Sequence, residues 1–309
     1  MVSSNTLRSG TARVTRAANA IEALFPDLAP VQIELLAGGE DFHVFLTNGR
    51  WVFRFPRRQS SYRKLKREQL LLPLVAATLK RLPVRIPHYE KAEFSSHGFP
   101  HSFVGYRVIP GVGADRVAAG KLDQRHLAQV LGRAIGRLHL IPPDVLARAG
   151  VPRDPRTPRR VMAQLRARVS AIRQVLPPSL RRSAGNFLSG NVAVPRPYSG
   201  PARFIHNDIC PDHILVDPMN GRLAGLVDFS DAALGDPALD FPNLYSWIGH
   251  DFVLELLRWY RAPRDSEFEL RLAFYSRTLS LVWLADTARK GDKAEIAKHL
   301  RWVRRAFRN

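Results

Sequence analysis

The sequence predicts an α+β chain in two lobes, an antiparallel sheet with a helix followed by a mostly helical part. Three observations carry this. Alternating apolar runs crowd the first hundred residues, and Asn48-Gly49 between two of them is the strongest short hairpin signal a sequence offers. From about Leu122 onward the apolar spacing is mostly helical. Pro110-Gly111 breaks the pattern between them, so a hinge falls near Arg107 to Gly113 and the lobes read as residues 1–107 and 108–309.

The elements follow in order. Helical periodicity over about Thr11 to Leu24 sets Val14, Ala17, Ile21 and Leu24 on one face, closed by Asp27 and Pro30. Strand-like runs come next at Gln32 to Ala37, Phe42 to Leu46 and Arg50 to Phe55, with Gly38-Gly39 in the first turn. Ser60 to Leu82 predicts a long helix that Pro73 kinks or splits and Pro83 halts. Two further strands are expected around Arg85 to Glu90 and Phe103 to Ile109, then a helix from about Leu122 to His139. Arg153 to Ser183 is helical in character and intensely basic. Short strands at Ala202 to Ile205, His213 to Asp217 and Leu223 to Val227 follow, the last after an Asn220-Gly221 turn. The remainder is helical, with Trp247, Trp259, Phe274 and Trp283 as candidate core.

Several classes are excluded or left open by composition. No apolar run reaches the roughly 18 to 20 residues of a membrane span. Cys210 is the single cysteine, which excludes an intramolecular disulfide and a cysteine-based zinc cluster. The first sixteen residues lack the apolar stretch of a secretory signal, although their basic, Ser- and Thr-rich character is shared with mitochondrial transit peptides; the cytoplasm is the default location. The net charge of +20 is spread along the chain. It suits attraction of nucleotides, nucleic acids or anionic surfaces, and equally suits solvated basic helix faces. Charge alone therefore does not decide mechanism.

The chemistry concentrates between Phe204 and Asp240. Asp208 lies just past a strand, His213 five residues on, and Asp228 at the end of the next strand after a tight turn. A strand–turn–strand hairpin brings the start of its first strand near the end of its second, so the three side chains can converge. Phosphoryl transfer needs such a set: a carboxylate to orient the acceptor hydroxyl and take its proton, and ligands to hold Mg²⁺ against a triphosphate.

These residues also resemble a known family. His206-Asn207-Asp208 followed by His213 is similar to the catalytic loop of the aminoglycoside and macrolide phosphotransferases, usually His-x-Asp-x-x-x-x-Asn. Leu226-Val227-Asp228-Phe229 resembles that family's metal-binding aspartate, and Gly235-Asp236-Pro237 with Asp240 and Phe241 its Gly-Asp-Pro-x-x-Asp-Leu signature. The resemblance implies a two-lobed protein-kinase-like fold, Mg²⁺, and ATP or GTP as donor. It gives Asp208 the catalytic role, and Asp228 with His213 the metal. Magnesium prefers oxygen donors, so His213 in the usual Asn place is a departure, one shared with macrolide kinases and with some aminoglycoside and peptide-antibiotic kinases. By the same resemblance His206 braces the loop. Asp236 and Asp240 would hold it by accepting backbone N–H bonds.

The N-terminal part resembles the family more weakly. Arg54, in Trp51 to Arg57, occupies the place of the strand residue that contacts the nucleotide phosphates, and Glu68 that of its helix partner. Gly38-Gly39 stands where a loop would cover the phosphates, and main-chain groups of Arg107 and Ile109 where the purine would bind.

The reading that follows is an ATP- or GTP-dependent, Mg²⁺-dependent O-phosphotransferase acting on a small-molecule hydroxyl. The almost uniformly basic stretch Arg153 to Ser183 favours a macrolide-like or other natural product over a polycationic aminoglycoside, for which Asp251, Glu255 or Asp286 would have to supply the acidic lining. A kinase-like protein that binds nucleic acid or another polyanion is the alternative, opposed by the retention of both carboxylates. No Ala-Pro-Glu segment follows Asp228, which disfavours a protein kinase.

Overall fold

The computed structural model describes residues 4–94 and 102–308. Two compact units divide it: Met1–Leu74 with Ile86–Ile109, and Val75–Arg85 with Pro110–Asn309.

The first unit is a five-stranded antiparallel sheet with helices. Its elements are α1 (Ser4–Leu24), β1 (Ile33–Gly38), β2 (Phe42–Thr47), β3 (Trp51–Pro56), the start of α2 (Gln59–Leu79), β4 (Lys91–Glu93) and β5 (Phe103–Arg107), with strand order β1-β2-β3-β5-β4. Asn48 (φ 50°) and Gly49 (φ 64°) both take the left-handed conformation that a tight two-residue hairpin demands. Successive strand residues face opposite sides. Trp51, Phe53 and Phe103 therefore cluster with Ile21 of α1, while Phe42 and Val104 pack on Leu65 of α2. Gly105 stands opposite Phe53 because a Cβ there would lie 2.5 Å from its ring.

Two local expectations are corrected. α2 continues through Pro73 as one helix, so the expected split does not occur. Pro73 and Gln69, whose carbonyl loses its helical partner, are both exposed, so water can satisfy that carbonyl. No strand forms over 85–90; Arg85 makes an isolated bridge with Gly225, and the strand begins at Lys91.

The second unit begins with β6 (Val112–Gly113), α3 (Gln124–Leu138), α4 (Pro143–Arg148), α5 (Pro158–Arg166), α6 (Val169–Val175), α7 (Pro178–Ser183) and α8 (Gly185–Ser189). It continues with β7 (Arg203–Ile205), β8 (Ile214–Val216), β9 (Leu223–Leu226) and β10 (Ala233–Gly235), then α9 (Pro242–Trp247), α10 (His250–Trp259), α11 (Phe268–Lys290) and α12 (Lys293–Ala306). The strands form two small sheets, β6-β8-β9 and β10-β7. α11 is buried on most sides and packs against α5, α6, α9 and α12, so it is the core of this unit. Phe274 on α11 is fully buried, whereas Trp247, Trp259 and Trp283 are half-buried. The basic stretch from Arg153 is three short helices, two of which start with Pro at their first position.

Candidate active site

The β8–β9 hairpin positions the site. Gly221 (φ 68°) lies in its turn, where an added Cβ would sit 2.1 Å from the Lys121 carbonyl, so only glycine closes it. At the other end Val227 N–H donates to the His213 carbonyl at 3.1 Å. That bond delivers Asp228 beside His213. The Asp228 Oδ2 lies 3.7 Å from His213 Nε2, and Asp208 Oδ2 lies 3.4 Å from Nδ1. The three side chains thus meet at one mouth, carboxylate–imidazole–carboxylate.

Strain and bracing mark the same place. Asn207 (φ 72°) and Asp228 (φ 62°) are left-handed without being glycine, which costs about 1–3 kcal/mol each and persists only where surroundings over-determine it. Asp240 supplies part of that: its carboxylate accepts the N–H groups of His206 (3.0 Å) and Asn207 (2.6 Å) and meets His139 Nε2 at 2.9 Å. His206 is fully buried, and its Nδ1 accepts the Asp208 N–H at 3.4 Å, a bracing contact. Asp236 accepts a backbone N–H as expected and has a further partner. Besides the Ala238 N–H it binds Arg271, in a buried ion pair at 2.7 Å. Its task is to tie the loop to α11.

Electrostatics sort the roles. Burial raises the Asp208 carboxyl above its ordinary range, with Asp228 and Asp231 adding to the rise against His213 and His206. Burial disfavours charge on His213, but Asp208, Asp228 and Asp212 outweigh it and raise its pKa. Burial also pushes the Cys210 thiol well up, so it stays protonated and is no nucleophile.

A divalent cation fits one face of this set. His213 Nδ1 meets the Asp208 carbonyl at 3.0 Å; a carbonyl only accepts, so Nδ1 carries the proton in the neutral ring. Nε2 then presents its lone pair toward Asp228. Asp208, Cys210 and His213 also have potential ligand atoms within 4.8 Å of one another. There, however, the thiol keeps its proton and Nδ1 is occupied, so the Nε2–Asp228 side is the better seat.

In the first unit Arg54 and Glu68 form a buried ion pair at 2.7 Å, with the guanidinium 4.2 Å over the Phe42 ring and 3.1 Å from the Tyr89 hydroxyl. Gly38 ends β1 and Gly39 follows it; the Gly39 carbonyl accepts from Arg57. Asp41 binds Arg58, Ser61 and Lys64, pinning this turn to the start of α2. Sequence reasoning gave Asp41 no role of its own, because the partners it binds lie 17 to 23 residues further on. Arg107 stacks on Trp51 at 4.1 Å and Ile109 is buried, the last residue of the unit.

An antiparallel sheet unit, a helical unit and a carboxylate–imidazole–carboxylate mouth on a hairpin define the kinase-like class of phosphotransferases. The family model of the APH phosphotransferase enzymes matches residues 32–273, and the chain belongs to that family. It is accordingly an enzyme that transfers phosphoryl groups to an alcohol acceptor. Among solved structures, a GDP complex of a point mutant of aminoglycoside 2'-phosphotransferase-IIIa is 26% identical, with 95% of this chain and 97% of that one covered and a TM-score of 0.74. The GDP and kanamycin complex of APH(2")-IIIa is 27% identical, covering 94% and 98%, with a TM-score of 0.73. Macrolide 2'-phosphotransferase type I shares the fold at 20% identity, covering 94% and 96%, with a TM-score of 0.62. The uncharacterized protein YcbJ of Bacillus subtilis is 40% identical over 63 residues, a fifth of either chain. No helix among the described residues is long and apolar enough to cross a membrane.

Proposed function

We propose that the chain moves the γ-phosphoryl group of ATP or GTP to a hydroxyl of a small molecule, with Asp208 orienting that hydroxyl and taking its proton. The observation that carries this is the convergence of Asp208, His213 and Asp228 at one hairpin mouth. Asp228 and His213 Nε2 hold Mg²⁺, which supplies charge neutralisation on the phosphates when bound. Arg54, kept straight by Glu68, steadies the phosphates; the Gly38-Gly39 turn covers them; the main chain of Arg107 and Ile109 meets the purine. Relatives that carry GDP support a purine triphosphate as donor. Catalysis by such a site is positioning and electrostatic stabilisation.

The acceptor is an uncharged or anionic natural product or metabolite in preference to a polycation, although relatives at 26 and 27% identity are named for aminoglycosides. A polycation needs free carboxylates along its site. Asp286 is already held by Arg168 at 2.9 Å and by Arg289, and Glu255 by Arg258 at 3.0 Å, whereas Asp251 is exposed, 3.9 Å from His250. Seven arginines are exposed between Arg153 and Arg182, against Asp154 as the one acid of that stretch. A panel of macrolides, sugars, anionic metabolites and aminoglycosides, scored by nucleotide consumption, tests both statements. Fast turnover of an aminoglycoside alone would refute the charge argument, and no turnover of any compound would count against the function.

The donor set predicts a metal preference. Chelation with EDTA should stop turnover, and Mn²⁺ should support the wild type better relative to Mg²⁺ than it supports His213→Asn, because an imidazole suits the later metal and an amide oxygen the harder one. An unchanged Mn²⁺/Mg²⁺ ratio would remove His213 from the metal.

A further inference from the structure

The structure assigns a positioning role to Arg156 and Asp154, which lie about fifty residues before the catalytic loop and belong to none of its motifs. This inference rests on the phosphotransferase reading and concerns how Asp208 is held.

Asn207 precedes Asp208 and must keep a left-handed backbone, φ 72°, to present it. Such a conformation in a non-glycine residue needs outside support. Asp240 holds the Asn207 main chain through its N–H at 2.6 Å. The side chain is held independently. Its Oδ1 accepts from the Arg156 guanidinium, and its Nδ2 donates to Asp154 Oδ2 at 3.3 Å and to the Asp231 carbonyl at 3.0 Å. One amide thus joins three segments: the strut before α5, the catalytic loop, and the stretch just past Asp228, the other strained residue of the site.

The strut is rigid enough to serve. Asp154 grips Arg156 in a fork, Nε to Oδ1 at 3.0 Å and Nη2 to Oδ2 at 2.7 Å, and accepts the Arg156 N–H at 2.7 Å. The Asp154 side chain is 6% exposed, so its charge needs this partner. Main-chain bonds fasten the strut to β10: Asp154 N–H to the Leu234 carbonyl at 2.8 Å, and Leu234 N–H to the Pro152 carbonyl at 2.7 Å. β10 in turn pairs with β7, the strand that leads into the catalytic loop. Strut and loop are therefore anchored to one two-stranded sheet, and Arg156 closes the triangle between them. A bidentate, planar guanidinium suits this task; an ammonium would not hold both partners in one plane.

Four full-length proteins test it: wild type, Arg156→Met, Asn207→Gly and the double variant. Glycine tolerates φ 72° but lacks the amide, so it separates backbone conformation from bridging. Turnover of ATP and GTP with Mg²⁺, using water or any acceptor that the panel identifies, gives kcat and KM. Hydrogen exchange of peptides covering residues 204–210 gives a readout independent of activity. Arg156→Met is expected to lower kcat about 10- to 100-fold, with nucleotide KM within about twofold and faster exchange at 204–210. Asn207→Gly should do the same, and the double variant should be no worse than either single one. Losses that multiply in the double variant would place Arg156 outside the Asn207 route and overturn the assignment, as would wild-type exchange and kcat in Arg156→Met. Should Arg156→Met also loosen α5, Asp154→Asn frees the same guanidinium and repeats the test. A wild type that consumes no nucleotide would refute the phosphotransferase reading, while the exchange arm still decides the clamp.

Discussion

Asp208→Asn is expected to lower phosphoryl transfer about 10²- to 10⁴-fold while nucleotide affinity stays within about twofold, because the amide keeps the shape but accepts no proton. The same substitution should raise the unfolding midpoint at neutral pH. The reason is linkage. Burial holds the folded Asp208 carboxyl above its ordinary 3.8, so the native state binds that proton more tightly than the unfolded chain. Stability then falls as pH rises from about 3.8 through the raised folded value, and the ionised group remains a liability above it. Removing the charge removes the liability. Activity lost with stability gained is a signature that a merely misfolded variant cannot imitate, and thermal melts beside steady-state kinetics read both. The wild-type rate profile should also show an acid limb above the ordinary carboxylate range. Turnover in Asp208→Asn near the wild-type rate would remove this residue from the chemistry.

Much of the site could be read along the chain because its parts are local. Asp208, His213 and Asp228 sit within 21 residues on one hairpin, and a hairpin with an Asn-Gly turn has a defined register. The β2–β3 hairpin was legible for the same reason. What could not be read is what closes from afar. Arg156 reaches Asn207 across 51 residues and Arg271 reaches Asp236 across 35, and neither separation carries a periodic or turn signal. Pro73 does not split α2, because Gln69, whose carbonyl loses its helical partner, is exposed and water can replace that partner. Leu24 departs from its pattern. It lies on the apolar stripe with Ile21 yet is 45% exposed, at the last residue of α1.

The pairing of Arg271 with Asp236 yields the largest expected loss of stability. Arg271 is 1% exposed, and its guanidinium binds Asp236 through Nε at 2.7 Å and Asp265 through Nη1 and Nη2 at 3.0 Å each. Asp236 in turn accepts the Tyr275 hydroxyl at 3.2 Å and the Ala238 N–H at 3.1 Å. Arg271→Met retains most of the side-chain volume but leaves the Asp236 carboxylate buried without its cation. Breaking one partner of such a pair costs about 3–5 kcal/mol, more than the intact pair itself contributes, because the remaining charge cannot recover its hydration. Urea unfolding should therefore show a loss of that size in Arg271→Met. Asp265→Asn, at a side chain 36% exposed, should cost far less because water replaces the lost contact. Arg271→Met combined with Asp236→Asn should recover part of the loss, since the amide leaves no bare charge and keeps an oxygen for Tyr275. A loss below about 1 kcal/mol in the single variant, or no recovery in the double one, would mean that packing of α11, and not this ion pair, fixes the Gly-Asp-Pro turn in place.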